Sequence, residues 1–185
     1  DYMNARLIAY PMSVFDNDMP VDGVAAVVLT TEDRAKDTPH PGGYIAGYST
    51  ISYNVTRPSL VQTLEEQYES GYLMARNLYE SAGAKPEDVD LIQVHDAATI
   101  GELQQLEALQ IVPTGEAWQA TTAGRTALTG DIPTNTDGGL LAMGHPFGAT
   151  GIRMIHETVL QLRQEAGPRQ VPGRHGPAGP RVGLA

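Results

Sequence analysis

The sequence predicts an α/β protein, because short apolar segments rich in β-branched residues alternate with longer amphipathic segments. Three segments have strand character, each bounded by Gly, Asp or Pro: residues 24–30, 44–49 and 89–94. Before the third, apolar residues recur every three to four positions between Pro58 and Gly83, which favours a long helix. A strand, a helix and a strand in this order are typical of a crossover between parallel strands.

Two more helices are predicted further along the chain. The first covers residues 99–109 and the second follows Pro146. In the second helix, the three-to-four spacing predicts a buried apolar face and an exposed polar one. The predicted buried residues are Ile152, Ile155, Val159 and Leu162, and the predicted exposed ones are Arg153, Glu157, Gln161 and Gln164. Residues 167–180, rich in Pro and Gly, predict a surface loop, and residues 181–185 predict the opening of a strand.

Length and composition exclude several classes of protein. The chain has 185 residues, 41% of them hydrophobic and 18% charged, which is typical of about one globular domain. The net charge of −10 argues against binding to nucleic acid or to an anionic membrane surface. The sequence has no Cys, so it contains neither a disulfide nor a cysteine nucleophile. No apolar run approaches the roughly 20 residues of a membrane-spanning helix, and we expect a cytoplasmic protein.

The first candidate functional residues are His95 and Asp96, which directly follow the predicted strand 89–94. In open α/β sheets, sites collect beyond the carboxyl ends of the strands. The alternative is structural: Asp96 caps the next helix and His95 is a hydrogen-bonded neighbour.

The second candidate is His145, within the glycine-rich run 138–151. Pro146 disfavours helical geometry at His145, so this histidine should be extended at the start of a helix. A helix N-terminus disfavours an imidazolium, which favours a neutral imidazole able to act as a base. The alternative is a glycine-rich turn with an incidental histidine. The glycine spacing differs from that of a dinucleotide-binding motif.

A metal site is not expected. His145 and His156 are 11 positions apart, which puts them about 16 Å apart on a helix. No His or carboxylate cluster has the spacing of metal ligands.

Taken in order, the motifs resemble the thiolase superfamily. They are residues 90–102, which contain His95-Asp96-Ala-Ala, and residues 135–151, which contain Gly144-His145-Pro146-Phe147. Residues 21–29 and 162–185 extend the likeness over nearly the whole chain. The sequence is most similar to the sterol-carrier or lipid-transfer type of acetyl-CoA acetyltransferase.

This resemblance implies a layered thiolase-like α/β fold, with a five-stranded mixed sheet and helices on both faces. Residues 1–38 would be the end of the N-terminal thiolase half, with its last strand and helix. Residues 39–185 would be the C-terminal thiolase domain, ending before its final hairpin strand. The chain would therefore be a fragment or subunit that is inactive alone.

The resemblance also implies roles for individual residues. His145 would activate a nucleophilic cysteine and help to hold the thioester oxygen, and His95 would orient a water in the oxyanion hole. The implied substrate-binding residues are Asp96, Ala98, Asn135, Gly144, Pro146 and Phe147. Coenzyme A would be a substrate, with no cofactor and no metal.

The sequence departs from the family pattern at three places. The nucleophilic cysteine is absent, Ala98 stands where the family usually has Phe, and residues 17–19 (Asn-Asp-Met) replace small and sulfur-containing residues. Three functions therefore remain: a thiolase whose cysteine lies outside this chain, a thiolase-like aldolase of steroid side-chain breakdown with an OB-fold partner, and a non-catalytic subunit. In each case we expect a homodimer or a higher oligomer, by analogy.

Overall fold

The computed structural model describes residues 2–40, 42–52, 63–172 and 182–185. The helices are α1 (Glu32–Ala35), α2 (Leu64–Ala82), α3 (Thr99–Ala108), α4 (Ala117–Thr122), α5 (Gly139–Met143) and α6 (Phe147–Leu162). The strands are β1 (Leu7–Ala9), β2 (Met12–Ser13), β3 (Leu91–Ile92) and β4 (Gly183–Leu184). The predicted helices are thus confirmed wherever the chain is described, whereas Pro58 and most of the loop 167–180 lie outside the described residues.

Helix α2 has a clear signal at each end. At its start, the Thr63 hydroxyl accepts from the Glu66 amide at 3.3 Å and the Glu66 carboxylate accepts from the Thr63 amide at 2.9 Å. This reciprocal cap satisfies two backbone donors that the first turn leaves free. At its end, Gly83 adopts a left-handed conformation with φ of 62°, which stops the helix at the predicted residue.

The hydrophobic core is formed by α2, β3, α3 and α4 together with the loops between them. Its buried members are Ala75, Tyr79, Val89, Ile92, Val94, Leu106, Leu109, Val112, Ala117, Ala120 and Ile132. The Tyr79 hydroxyl donates to the carbonyl of Leu109 at 2.9 Å. Burial raises the pKa of Tyr79 to about 12. The core therefore fixes α3 relative to β3, and the loop between these two elements contains His95.

Strand β3 lies between two segments that are distant in the sequence. On one edge it pairs in parallel with β4, Leu91 opposite Gly183. On the other edge the Ile92 amide donates to Pro133 at 2.9 Å and the Asn135 amide donates to Ile92 at 2.8 Å. The carboxyl end of β3 and residue 135 consequently lie side by side.

The five-stranded sheet is not present in the described residues. They contain the antiparallel pair β1–β2, the parallel pair β3–β4 and isolated bridges. The predicted strands 24–30 and 44–49 are wrong, and the predicted strand 89–94 is reduced to β3. A strand needs a neighbour with which to exchange hydrogen bonds, and no strand pairs with 24–30 or 44–49 among the described residues. Their apolar side chains are largely exposed, Val28 at 92% and Tyr48 at 77%.

The predicted orientation of α6 is also wrong. Glu157 is 2% exposed and Gln161 is 0% exposed, whereas Ile155 is 40% exposed. The reason is a buried hydrogen-bond network on this face: Glu157 accepts from Thr136 at 2.8 Å and from Arg169 at 2.9 Å. Polar side chains can be buried when each has a partner, and the spacing of apolar residues does not reveal such partners.

Candidate functional site

His95 follows β3 by three residues, and the side chain of Gln105 holds its backbone. Gln105 Oε1 accepts from the His95 amide at 3.0 Å, and Gln105 Nε2 donates to the His95 carbonyl at 2.6 Å. This double contact from α3 fixes the peptide while the His95 side chain remains exposed. The sequence analysis did not identify Gln105 as a residue of this site. Its position ten residues after His95 was the only sequence feature that pointed to it.

Asp96, the residue after His95, is 1% exposed. Its carboxylate accepts from the Leu140 amide at 2.8 Å and the Leu141 amide at 3.5 Å. It therefore caps α5, not the helix α3 that follows it in sequence. Gly139 makes this possible: its φ is +63°, and a Cβ there would lie 2.0 Å from Asp96 Oδ2.

Asn135 joins the same two loops from the other side. Its Oδ1 accepts from the Val94 amide at 2.9 Å and its Nδ2 donates to Glu102 at 3.0 Å. Its backbone is left-handed, with φ of 47°, a conformation that Asn tolerates better than most residues. Asp96 and Asn135 thus bind the loop after β3 to residues 135–141.

The extended segment 17–21 lies between the two histidine loops and contacts both. The Asp18 amide donates to the Ala97 carbonyl at 2.9 Å, and Asn17 faces Ala98 in an antiparallel bridge. Met19 contacts the other histidine loop, because its carbonyl accepts from the His145 amide at 2.8 Å. Ala98 is therefore partly buried beside this segment, a neighbour that the sequence did not predict.

His145 is extended, as its position before Pro146 predicts. Its backbone is held by the segment 17–21, because the Val21 amide donates to the His145 carbonyl at 3.4 Å. The preceding Gly144 has φ of +84°, and a Cβ there would lie 2.7 Å from Val21 Cγ1. Only glycine allows the backbones to approach this closely. Pro146 then occupies the N-cap position of α6.

The two histidines meet in space although 50 positions separate them in the sequence. The distance between His95 Nε2 and His145 Nε2 is 3.3 Å. The rings are edge to face, with centroids 4.8 Å apart and an interplanar angle of 75°. One imidazole therefore donates a hydrogen bond to the other, and the tautomers decide which ring is the donor.

Two further side chains fix the His145 ring. The Asp18 carboxylate oxygen Oδ2 lies 2.5 Å from His145 Nδ1. Phe147 stacks on the other side, with ring centroids 4.4 Å apart at 25°, and is itself 69% exposed. His145 is 8% exposed, and its Nε2 faces His95.

A groove of about 390 Å³ lies between α2 and α3, next to this site. Gln105 lines the groove and also holds the His95 backbone. Gly71 and Met74 of α2 line the opposite wall. The groove and the histidine pair therefore share one side chain.

Residues 56–179 match the family model described as Thiolase C-terminal domain-like. The chain belongs to the thiolase family. The resemblance that the histidine motifs predicted is thereby confirmed, and the α/β class with it. The functional roles predicted for His95, His145, Asp96, Ala98, Asn135, Gly144, Pro146 and Phe147 stay predictions.

Known members of the thiolase family are similar over most of this chain. It is 37% identical over 171 residues to an acetyl-CoA acetyltransferase of Methanothermobacter thermautotrophicus, covering 92% of this chain and 44% of that protein. It is 43% identical over 163 residues to human sterol carrier protein 2, covering 82% of this chain and 28% of that protein. It is 30% identical over 188 residues to the benzoylsuccinyl-CoA thiolase subunit BbsB of Thauera aromatica, covering 100% of this chain and 46% of that protein.

A solved structure has a similar fold. The Ltp2-ChsH2(DUF35) aldolase aligns with a TM-score of 0.72 and 25% sequence identity, covering 94% of this chain and 44% of that chain. The present chain thus spans less than half the length of each of these relatives.

Within the described ranges, no group of three or more His, Asp or Glu side chains is placed to hold a metal ion. No helix in those ranges is long and apolar enough to cross a membrane. The division at residue 38 and the cytoplasmic location stay predictions.

Proposed function

We propose that this thiolase-family chain supplies the two-histidine part of an acyl-CoA acyltransferase site. The reaction would be the thiolytic cleavage of a 3-ketoacyl-CoA, or in reverse the condensation of two acyl-CoA molecules. The observation that carries the proposal is the 3.3 Å distance between Nε2 of His95 and Nε2 of His145. Because this chain has no Cys, the nucleophilic thiol comes from elsewhere in the protein or from a partner.

The pair suits this chemistry because acyl transfer needs both a base and a hydrogen-bond donor. His145 takes the proton of the thiol, and the thiolate attacks the C3 carbonyl of the ketoacyl-CoA. The carbonyl oxygen gains negative charge, which a donor such as His95, directly or through a water, stabilises by about 3–4 kcal/mol.

The C2–C3 bond then breaks, and the carbanion of acetyl-CoA takes the proton that His145 holds. Free CoA gives its thiol proton to His145 and attacks the acyl-enzyme, and the departing cysteine thiolate takes that proton back. Asp96 and Asn135 keep the two loops together during these steps, and Phe147, Ala98, Gly144 and Pro146 border the space where the thioester binds.

The first test is the substitution of His145 in the protein as the cell produces it, with any partner that co-purifies. We expect His145→Ala to lower kcat/KM for acetoacetyl-CoA thiolysis about a hundredfold or more, because both the base and one donor are lost. His95→Ala should lower it less, since the base remains. The loss of acetoacetyl-CoA absorbance measures both rates.

His156→Ala is the matched control. It removes an exposed histidine of α6 that lies 11 positions after His145 in the sequence and should leave the rate unchanged. A wild-type protein that cleaves acetoacetyl-CoA while His145→Ala keeps a rate within about threefold would contradict the assignment of His145.

A second function, a thiolase-like retro-aldolase, is favoured by the fold similarity to the Ltp2-ChsH2(DUF35) aldolase. This reaction cleaves a 3-hydroxyacyl-CoA and needs a base but no thiol nucleophile. Iodoacetamide therefore separates the two functions: it abolishes thiolysis by alkylating the cysteine, and it leaves aldol cleavage intact. If His95 and His145 both prove dispensable in either reaction, the chain is a non-catalytic subunit.

The names of two of these relatives also favour a partner subunit for this chain. BbsB is named as a thiolase subunit, and the aldolase is named as a complex of Ltp2 with ChsH2. We accordingly expect a homodimer or higher oligomer, with an OB-fold partner in the aldolase case. Co-purification followed by intact-mass measurement identifies such a partner.

A further inference from the structure

Asp18 occupies a position next to His145 that the histidine motifs do not account for. Its Oδ2 lies 2.5 Å from His145 Nδ1, and the two side chains are 16% and 10% exposed. Oδ2 is buried and makes no hydrogen bond among the described residues, so it meets the imidazole as a close ion-pair contact. The carboxylate is therefore directed at the imidazole and is largely shielded from water.

The backbone around Asp18 keeps this carboxylate in place. The Asp18 amide donates to Ala97 at 2.9 Å, two residues after His95. The Met19 carbonyl accepts from the His145 amide at 2.8 Å. Because one short segment is bound to both histidine loops, Asp18 moves with the histidine pair.

The contact decides which nitrogen of His145 carries a proton. A carboxylate oxygen this close to Nδ1 attracts a proton to that nitrogen and repels the lone pair of an unprotonated one, so the contact favours the Nδ1–H form of His145. In a neutral imidazole, Nε2 is then an acceptor. The 3.3 Å contact between the two Nε2 atoms requires one donor, and that donor is Nε2–H of His95.

We propose that Asp18 is a positioning residue that gives the two histidines different roles, His145 as proton acceptor and His95 as hydrogen-bond donor. This inference rests on the proposed function, because those roles match the base and the oxyanion donor of acyl transfer. Asp18 and His95 are the titratable side chains that face the His145 ring among the described residues. Asp18 itself does not touch the substrate.

The test is Asp18→Asn in the whole protein, with Asp22→Asn as the matched control. An Asn amide can donate to Nδ1 of His145, which would place the proton on Nε2 and leave no acceptor for the thiol proton. We expect kcat to fall at least about tenfold with KM within about threefold of wild type. Asp22 is exposed, and its substitution removes the same charge from the same segment without changing the rate.

A second readout does not depend on turnover. The ¹⁵N NMR spectrum of histidine-labelled protein at neutral pH should show the Nδ1–H form for His145 and the Nε2–H form for His95. In Asp18→Asn, the His145 signals should change to the Nε2–H form. A proton on Nε2 of His145 in the wild type would overturn the proposal, as would a variant with both wild-type kcat and wild-type signals.

The two readouts also separate this inference from the proposed function. If the wild type lacks thiolase activity but shows the expected tautomers, then the function is wrong and the role of Asp18 stands. If thiolysis depends on His145 but not on Asp18, then the function stands and this inference is wrong.

Discussion

Two carboxylates near the histidines, the buried Asp96 and the partly buried Glu102, differ in what stabilises their charge. Asp96 accepts from backbone amides at the start of α5, a favourable place for an anion. Glu102 accepts from the side chain of Asn135 at 3.0 Å. Burial, and then the nearby charge of Asp96, raise the pKa of Glu102, and the bond from Asn135 offsets only part of this. The ionised form of Glu102 therefore opposes folding.

This difference predicts that Glu102→Gln stabilises the protein at neutral pH. The folded-state pKa of Glu102 lies above the ordinary value of 4.5. The wild type therefore loses stability as the pH rises from about 4.5 through the folded-state pKa. The Gln variant avoids that loss and can still accept from Asn135.

Urea unfolding followed by circular dichroism, at a series of pH values, measures this effect. The free energy of unfolding of Glu102→Gln should exceed that of the wild type at pH 7, and the two should converge below about pH 4.5. Glu65→Gln, on the exposed side of α2, should show no such dependence. A constant difference over the whole pH range would contradict the raised pKa.

At the level of elements, α6 is anchored by hydrogen bonds on its buried face. Gln161 Nε2 donates to Glu157 at 3.0 Å and to the Arg169 carbonyl at 2.7 Å. Gln161 Oε1 accepts from the Val171 amide at 2.9 Å. The bonds to Glu157 from Arg169, Gln161 and Thr136 outweigh the effect of burial and lower its pKa. These contacts hold residues 169–171 against α6, the helix that begins just after His145.

Substitution of Gln161 should consequently lower the free energy of unfolding more than substitution of a polar residue usually does. Gln161→Leu leaves the buried Val171 amide and the Arg169 carbonyl without this partner and removes one of the three donors to Glu157, and we expect a loss of about 2–4 kcal/mol of unfolding free energy. Urea denaturation measures the loss, with Gln119→Leu on the exposed side of α4 as the control. A change below about 0.5 kcal/mol would mean that the network is not formed.

At the level of the whole molecule, the site depends on contacts between distant parts of the chain. Segment 17–21 contacts the loops after β3 and before α6. Strand β3 itself lies between residues 133–135 and β4. The histidine pair is therefore formed only in the folded chain. In the proposed function these parts supply a base and a donor, but their sequence contains no thiol.

We therefore expect the isolated 185-residue polypeptide to bind CoA esters without cleaving them. Circular dichroism first establishes that the helices are formed, and thiolysis and ester binding are then measured on the same sample. The whole protein, which in the proposed function includes the nucleophilic cysteine, should cleave the same esters. Cleavage by the 185-residue chain alone would require a nucleophile other than cysteine and would contradict the proposed mechanism.

Local signals in the sequence were sufficient for α2, α3 and α6, whereas α4 and α5 were not predicted. Thr63, Glu66 and Gly83 define the ends of α2, and Pro146 marks the start of α6 with His145 extended before it. The residues around His95 and His145 likewise indicated the thiolase family. The glycines there and Pro146 set the backbone conformation of only the few residues next to them. These effects are local, so the order of amino acids determines them.

Contacts across the chain were decided by the tertiary structure. Segments 24–30 and 44–49 have strand composition but form no strand, because a strand exists only where another backbone accepts its hydrogen bonds. Glu157 and Gln161 are buried because Arg169 and Val171 lie opposite them. The sequence by itself identified the two histidines as candidate site residues and predicted the extended backbone at His145. Tertiary structure alone placed them 3.3 Å apart with Asp18 behind His145, because each of these contacts joins residues that are remote in the sequence.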